Sequence, residues 1–169
     1  SIKYKDNSVV DIIELYLISE IELSPDGSKV ILNDFDQEAT ARVYLYDVDK
    51  RKTQDLLIKL PDFMTVSRMK WFDNRYFMFI AQSNAGIFAK GGDVYIYDTQ
   101  TDNYKMIISR NNFDYQISDM DIYGDNFCVF TSILYDETYS NYEAFYNTLT
   151  IDEVYELIEN GKTLKFNYK

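Results

Sequence analysis

A five-residue pattern occurs twice in this chain. The sequence VYLYD at residues 43–47 is followed 51 residues later by VYIYD at residues 94–98. In both places a polar turn comes next, and a second apolar run follows the turn. Alternating branched and aromatic residues that end at a turn predict β-strands, and a repeat of roughly 40–50 residues predicts stacked sheets. The repeat therefore restricts the fold class more than any other feature, although it does not specify an activity.

The repeat divides the chain into three units of mainly β-strand, within what we interpret as a single domain of 169 residues. The units cover about residues 20–62, 66–111 and 116–149. Some strands, such as residues 76–80 (YFMFI), are apolar on both faces, which is expected where one sheet stacks on another. We therefore predict a mainly β fold of three propeller-like, four-stranded antiparallel blades, which form a partial or open propeller.

The end of the chain departs from the repeat. Thr150 and Glu153 form a capping-box pattern, an apolar stripe with helical spacing follows, and Gly161 suits the position after a helix. We predict one short C-terminal helix over residues 151–160 and a terminal strand after it. A closed propeller has at least about four blades. The alternatives are an open array capped by the chain ends, a homodimer that completes one ring, and a further blade that the pattern does not reveal.

Two segments of the first unit resemble a known repeat. Residues 24–31 (SPDGSKVI), followed by VYLYD, resemble the TolB-like β-propeller repeat, whose units read SPDGKKIAF, then a loop, then an IYVMD-like strand. The resemblance covers about residues 21–147. The chain is also similar to an uncharacterised family of Firmicute proteins built from a few such units, and its composition is typical of AT-rich bacterial genomes. The resemblance implies a scaffold that binds proteins or ligands.

Composition excludes several function classes. Lys and Arg number 17 against 28 Asp and Glu, and the net charge of −11 disfavours binding to nucleic acid or to anionic membranes. No apolar run is long enough for membrane insertion. The chain has no histidine, and its one cysteine, Cys128, has apolar neighbours, so we expect an inert, buried thiol. We therefore predict no enzyme activity and no cofactor.

The compartment is left open by the sequence. Because the chain begins at Ser1, an extracytoplasmic location after removal of an N-terminal leader is one alternative.

Carboxylates are the remaining reactive groups. Asp34, Asp36 and Glu38 alternate along one segment and are weak candidates for a Ca²⁺ site, because they lack the spacing of an EF-hand loop. Asp119 and Asp121 share one face of a predicted strand, and paired carboxyl groups act as acid and base in glycosidases. A carboxylate-dependent Ca-binding or glycan-active domain is therefore the alternative function.

Aromatic residues in the loops are the candidates for ligand binding. The loops 34–41, 83–92 and 134–141 occupy equivalent places in the three units, so we expect them to meet at one edge of the array. The candidate contact residues are Phe88, Tyr135, Tyr139 and Tyr142. The leading hypothesis is a non-enzymatic binding module that recognises a protein or peptide partner through these loops.

Other positions have predicted structural roles. Asp47 and Asp98 end the two copies of the repeated pattern, and we expect them to accept backbone hydrogen bonds in the following turns. Trp71 lies in an apolar strand and is expected to be buried between sheets. Gly91 and Gly92 are interpreted as giving flexibility to a loop.

Overall fold

The computed structural model describes residues 1–3, 5–12, 18–35, 41–83, 91–110 and 115–166. Most of these residues lie in β-strands or in the turns between them, so the fold is mainly β, as predicted. In chain order the elements are β1 (Ile2–Lys3), β2 (Val9–Val10), β3 (Ile18–Leu23), β4 (Lys29–Phe35), β5 (Ala41–Asp47), β6 (Lys52–Leu56), β7 (Met64–Trp71), β8 (Tyr76–Ser83), β9 (Gly92–Asp98), β10 (Asn103–Ser109), β11 (Tyr115–Tyr123), β12 (Phe127–Tyr135), β13 (Tyr142–Thr150), α1 (Ile151–Asn160) and β14 (Leu164–Lys165).

Within the described residues the strands form sheets of two, four and eight members. The hairpin β1–β2 is the smallest sheet, and the antiparallel meander β3-β4-β5-β6 is the first repeat unit. The eight-stranded sheet combines the meander β7-β8-β9-β10 of the second unit with β11-β12-β13 of the third. These two parts are joined where Ile117 of β11 pairs with Gly92 of β9, and β14 adds in parallel to β10.

The prediction of three four-stranded blades is wrong for the third unit. The third unit has three strands in the described residues, β11, β12 and β13, and after β13 the chain turns directly into α1. Glu153 N donates to the Thr150 hydroxyl at 3.2 Å, and Thr150 N donates to the Glu153 carboxylate at 2.7 Å. This capping box starts the helix, and Gly161, at φ 62°, ends it. The helix is therefore confirmed, whereas the terminal strand β14 extends the second unit instead of the third.

The helix α1 is short and has a polar face. Among the described residues, no helix has the length and apolar character that a bilayer span requires.

The repeated pattern forms the third strand of the first two units, β5 and β9. The carboxylate of Asp47 accepts a hydrogen bond from Lys50 N, and that of Asp98 accepts one from Gln100 N, both at 2.9 Å. Both aspartates therefore end a strand and hold the following turn, as predicted.

The first strand of each unit contains a β-bulge. The register with the second strand shifts after Ile18 in β3, after Ser67 in β7 and after Ile117 in β11. Beside each bulge a serine hydroxyl donates to a carbonyl oxygen of the second strand: Ser19 to Asn33 at 3.3 Å, Ser67 to Ile80 at 3.3 Å and Ser118 to Thr131 at 3.2 Å. Because a bulge interrupts the alternation of side chains, the sequence pattern reveals only the second half of each first strand.

The first and second units pack through an apolar layer. Ile31 and Leu45 of the first unit are buried together with Trp71 and Phe77 of the second. Trp71 is 6% exposed, and its ring meets that of Phe77 edge-on with 5.7 Å between centroids. Its indole N–H donates to the carbonyl oxygen of Glu22 at 3.2 Å. The expected burial of Trp71 between sheets is confirmed.

A second apolar layer joins the second unit, the third unit and α1. Val154 and Ile158 of α1 are buried in it, and Phe72 meets Tyr155 edge-on with 4.9 Å between ring centroids. Cys128 lies in the same layer, and burial raises the pKa of its thiol to about 12. The thiol is therefore protonated at neutral pH and inert, as predicted.

The outer face of the first unit is covered by the N-terminal residues. Ile2 and Ile12 pack against a buried cluster formed by Val30, Leu32, Tyr44 and Tyr46. The N-terminal residues therefore cover this face of the first unit, which agrees with one of the three alternatives, the capped open array.

The outer face of the third unit is more polar than the inner faces. The strand registers show which residues of the second unit are equivalent to the residues on this face. In the second unit the equivalent face is buried. Thr131, Tyr146 and Thr148 of the third unit stand where the second unit has Ile80, Val94 and Ile96. Tyr146 is 74% exposed, whereas the three aliphatic residues are buried. The substitutions suit a terminal unit that faces water.

Gly91 and Gly92 have a steric role, so their interpretation as a source of loop flexibility is wrong. Gly92 begins β9 and pairs with both Gln82 of β8 and Ile117 of β11. A Cβ atom on Gly92 would lie 1.8 Å from the carbonyl oxygen of Ala81, and one on Gly91 would lie 2.3 Å from that of Ile117. Glycine therefore allows the close backbone approach that joins the second and third units.

Candidate functional site

The first strands of the three units, β3, β7 and β11, line a cleft of about 300 Å³. Just beyond the bulge, each strand contributes charged side chains at two equivalent positions. The first row contains Glu20, Arg68 and Asp119, and the second contains Glu22, Lys70 and Asp121. Both rows run acidic, basic, acidic along the array. The cleft therefore collects four acidic and two basic side chains from all three units.

Glu20 connects the first unit to the bulge of the second. Its two carboxylate oxygens accept hydrogen bonds from the backbone N–H groups of Arg68 and Met69, both at 2.8 Å. Arg68 has a positive φ of 52°, which an arginine rarely adopts. In this bulge Arg68 and Met69 have no register partner in β8, and the Glu20 carboxylate accepts hydrogen bonds from the N–H groups of both. The cleft wall between the first two units is thereby fixed.

Ion pairs link the remaining charges. Lys70 Nζ lies 2.7 Å from Glu22 Oε1, and this carboxylate raises the pKa of Lys70, with a smaller contribution from Asp121. Arg68 Nε lies 3.8 Å from Asp119 Oδ1, and both side chains are more than half exposed. The predicted acid pair, Asp119 and Asp121, therefore lies beside basic groups in a solvated cleft.

A second pocket, of about 250 Å³, adjoins the cleft and shares Glu20 and Arg68 with it. Asn33, 2% exposed, donates from Nδ2 to the Val66 carbonyl oxygen at 2.7 Å. Its Oδ1 and the hydroxyl of Thr65, which is 6% exposed, have no hydrogen-bond partner among the described residues. Both residues belong to the lining of one pocket, although each of the two unpaired atoms has less than 1 Å² of accessible surface. We call it the Asn33–Thr65 pocket.

Three of the four predicted contact residues meet at the end of the β12–β13 hairpin. The ring centroid of Tyr135 lies 5.8 Å from that of Tyr139 and 6.1 Å from that of Tyr142. Tyr142 is 65% exposed, and the other two are partly exposed. We call this group the tyrosine cluster.

The turn that carries the tyrosine cluster is held by Asp136. Its carboxylate accepts hydrogen bonds from the Asn141 amide at 2.8 Å, from Thr138 N at 3.1 Å and hydroxyl at 2.9 Å, and from Ser140 N at 3.0 Å. These bonds, first that of Asn141, lower the pKa of Asp136 to about 2. The carboxylate is therefore ionised at neutral pH and keeps Tyr139 at a φ of 56°.

Of the other predicted site residues, the structure describes only Asp34. Phe88, Asp36 and Glu38 lie outside the described residues. Asp34 is buried within β4, in register with Arg42 of β5, so its prediction as a loop residue is wrong. In the part of the chain that the structure describes, no group of three acidic, histidine or cysteine side chains is arranged to hold a metal ion.

Sequence reasoning missed the charged rows and the Asn33–Thr65 pocket. A signal for the rows was present, because the first strands contain ISE at 18–20, VSR at 66–68 and ISD at 117–119. Aligning the three serines places Glu20, Arg68 and Asp119 at equivalent positions. Asn33 and Thr65 have no such signal, since a polar residue in a strand is ordinarily expected on the exposed face.

Comparison with known proteins supports the fold. A family model matches residues 26–153, and the family is described as a domain of unknown function, DUF4652. No curated protein sequence matches the chain. A structure of a candidate conserved lipoprotein from Clostridium novyi NT aligns with a TM-score of 0.72 at 15% identity, over 82% of this chain and 89% of that chain.

Two larger proteins contain a similar arrangement of strands. Dipeptidyl peptidase 4 of Porphyromonas gingivalis aligns with a TM-score of 0.55 at 10% identity, over 81% of this chain and 24% of that chain. TolB of Acinetobacter baumannii aligns with a TM-score of 0.51 at 15% identity, over 86% of this chain and 36% of that chain. At these identities the similarity shows the fold alone, and at that level the resemblance to TolB is confirmed.

Proposed function

Given that this chain belongs to the DUF4652 family of domains of unknown function, we propose that it is a non-enzymatic module of propeller-like units that binds an extended peptide segment of a protein partner. The observation that carries the proposal is the tyrosine cluster beside β13. Aromatic side chains that are held in place and exposed are the usual anchors of protein interfaces.

The rigid turn lowers the cost of binding. Asp136 and its four hydrogen bonds fix the backbone on which Tyr139 lies. A tyrosine that is already ordered loses little further conformational entropy when a partner covers it. The tyrosine cluster is therefore better suited to recognition than three isolated surface rings elsewhere would be.

The strand β13 offers backbone groups to the same partner. It is nine residues long, pairs with β12 along one edge, and is the last strand of its sheet. Among the described residues no strand pairs with its other edge. An extended peptide can add to such an edge by main-chain hydrogen bonds while its side chains meet the tyrosine cluster.

The absence of an enzymatic role is part of the proposal. The sequence has no histidine, and burial raises the pKa of the Cys128 thiol to about 12, which opposes nucleophilic catalysis. Asp136 and Asp98 have lowered pKa values because they are bonded within turns, so they are ionised, structural carboxylates. The net charge of −11 supports a partner that is neither nucleic acid nor an anionic membrane.

We place this function outside the cytoplasm. The support is the Clostridium novyi structure, which shares its fold with most of this chain and is described as a candidate lipoprotein.

Panning of a displayed library of random peptides on the chain tests the proposal. We expect the selected peptides to shift the NMR signals of β13 amides. The double variant Tyr139→Asn, Tyr142→Ser should weaken their binding at least about fivefold, since truncated hot spots commonly cost more than about 1 kcal/mol. Asn tolerates the left-handed backbone at position 139, so the turn should persist.

Tyr123→Ser is the matched control. Tyr123 is 51% exposed and lies at the opposite end of the third unit, where it pairs in register with Phe127. Its replacement should leave peptide affinity unchanged. Peptides that shift signals only in the first two units, or that bind the double variant with wild-type affinity, would contradict the proposal.

A further inference from the structure

The net charge of the chain is concentrated in one part of the fold. Residues 111–161, which contain the third unit and α1, have 11 acidic residues and no Lys or Arg. The rest of the chain has 17 acidic and 17 basic residues, so this segment alone accounts for the net charge of −11. A ligand that approaches the third unit therefore meets a surface of a single sign.

Acidic side chains of this segment lie beside the proposed peptide site. Glu143 follows Tyr142 within β13 and is exposed, and Asp136 and Glu137 belong to the turn between β12 and β13. Hydrogen bonds within the turn hold Asp136 as a carboxylate. Within the described residues, no basic side chain pairs with Glu137 or Glu143. The charges at this end of β13 are therefore not neutralised by the protein itself.

Distance determines which charges act on a peptide at the edge of β13. Adjacent strands lie about 4.8 Å apart, so an added strand lies one spacing from Glu143 and about 14 Å from Asp119 and Asp121 of β11. Exposed charges are largely screened beyond about 8 Å at physiological ionic strength. Glu143 and the acidic residues of the turn therefore determine the charge of the peptide that fits.

We propose that the segment that pairs with β13 is a cationic peptide, with Lys or Arg at the positions that share a face with Glu143. The inference rests on the proposed function and names the chemistry of its partner. Opposite charges directly across two strands stabilise the pair, whereas like charges repel. Tyr142 and Tyr146 lie on the other face of β13, so apolar side chains suit the alternate positions of the peptide.

NMR titration of the whole chain with two matched peptides, acetylated and amidated KVKVKVK and EVEVEVE, tests the inference. We expect KVKVKVK to shift the amide signals of β13 and EVEVEVE to leave them unchanged. The affinity for KVKVKVK should fall when salt is raised from about 20 mM to about 150 mM, because salt screens exposed charges. Glu143→Gln should weaken its binding roughly 1.5- to fivefold, the effect of losing one cross-strand charge pair.

Glu156→Gln is the matched control. It removes the same charge from an exposed position of α1, which follows the opposite end of β13. This variant should bind KVKVKVK as the wild type does. An equal loss of affinity in both variants would show that only the overall charge matters, and would overturn the inference.

The remaining outcomes separate this inference from the proposed function. Equal binding of the two peptides, or failure of KVKVKVK to shift β13 signals, would overturn the inference. If the peptides selected by panning pair with β13 but contain no excess of Lys and Arg, the inference fails and the proposed function stands. If no selected peptide pairs with β13, both fail.

Discussion

Arg75 and Asp98 form an ion pair at the end of β9. Arg75 Nε lies 2.9 Å from Asp98 Oδ1, and Nη2 lies 2.6 Å from Oδ2, so the pair is bidentate. The carboxylate also accepts from Gln100 N and from the Thr101 hydroxyl, both at 2.9 Å. The hydrogen bonds from Arg75 are the largest cause of the lowered pKa of Asp98.

The lowered pKa makes stability depend on pH at this residue. A carboxyl whose pKa is lower in the folded state stabilises the fold fully above its unfolded value, about 3.9, and loses this contribution as pH falls towards the folded value. We expect Asp98→Asn to reduce the urea midpoint of unfolding at pH 7. The difference from the wild type should shrink steadily between about pH 5 and pH 2.

Asp47→Asn is the control at the equivalent position of the first unit. Asp47 pairs with Lys50 at 2.6 Å, but the Lys50 side chain is 76% exposed, so solvent screens the pair. We expect a smaller change at pH 7 than for Asp98→Asn. Equal changes, or a difference for Asp98→Asn that is independent of pH, would contradict this account.

At the scale of elements, α1 replaces a strand. Its capping box satisfies N–H groups at the helix start, and Asp152 and Glu153 complement the positive end of the helix dipole. Tyr155 of the helix donates to Asp73 at 2.7 Å, and this bond is the largest cause of raising the pKa of Tyr155 to about 12. The helix therefore makes a hydrogen bond to the turn between β7 and β8, in addition to its apolar packing against the second and third units.

Removing the cap should weaken this arrangement. We expect Thr150→Ala to lower the free energy of unfolding by about 1 kcal/mol, within the roughly 0.5–2 kcal/mol range for lost N-caps. Thr150→Ser keeps the hydroxyl and should remain close to the wild type. Urea denaturation with an unchanged m-value measures both. A loss for Thr150→Ser as large as that for Thr150→Ala would show that the methyl group matters instead.

At the scale of the whole molecule, the two ends of the array differ. The first unit has its outer face covered by Ile2 and Ile12, whereas the third unit has polar substitutions on its own outer face. Covering one end and making the other polar removes much of the apolar surface that would otherwise drive two arrays together.

We therefore expect a monomer. Sedimentation equilibrium at physiological salt should give 20.0 kDa across micromolar concentrations. A mass of twice this value would support the homodimer. In that case Tyr146→Asp, which places a charge on the open face of the third unit, should restore the monomer if that face forms the interface.

The sequence predicts those parts of the fold in which side chains alternate regularly or follow a helical period. The strands with VYLYD and VYIYD, the burial of Trp71 and the limits of α1 are of this kind. The first strands are predicted too short, because a bulge beside Ser19, Ser67 and Ser118 breaks the alternation.

The candidate sites differ in the same way, because local sequence patterns predict one of them and not the other. The tyrosine cluster is predicted because its residues are close in sequence, on either side of one turn. The Asn33–Thr65 pocket joins residues of two units whose relative placement depends on sheet packing. Gly91 shows the same limit, since its close approach to Ile117 becomes visible only when the second and third units are joined.

The pairing of Gly92 with Ile117 joins the second and third units into one sheet and leaves the sheet of the first unit separate. We expect these two parts of the molecule to exchange amide protons at different rates. Backbone pairing runs continuously from the second unit into the third, whereas the four-stranded sheet of the first unit meets them, in the described residues, without strand pairing. Opening of the first sheet therefore breaks no ladder in the other, and each sheet can exchange as its own cooperative set. Asn33 belongs to one set and Val66, whose carbonyl oxygen accepts from the Asn33 amide, belongs to the other, so this hydrogen bond must break when the first sheet opens alone.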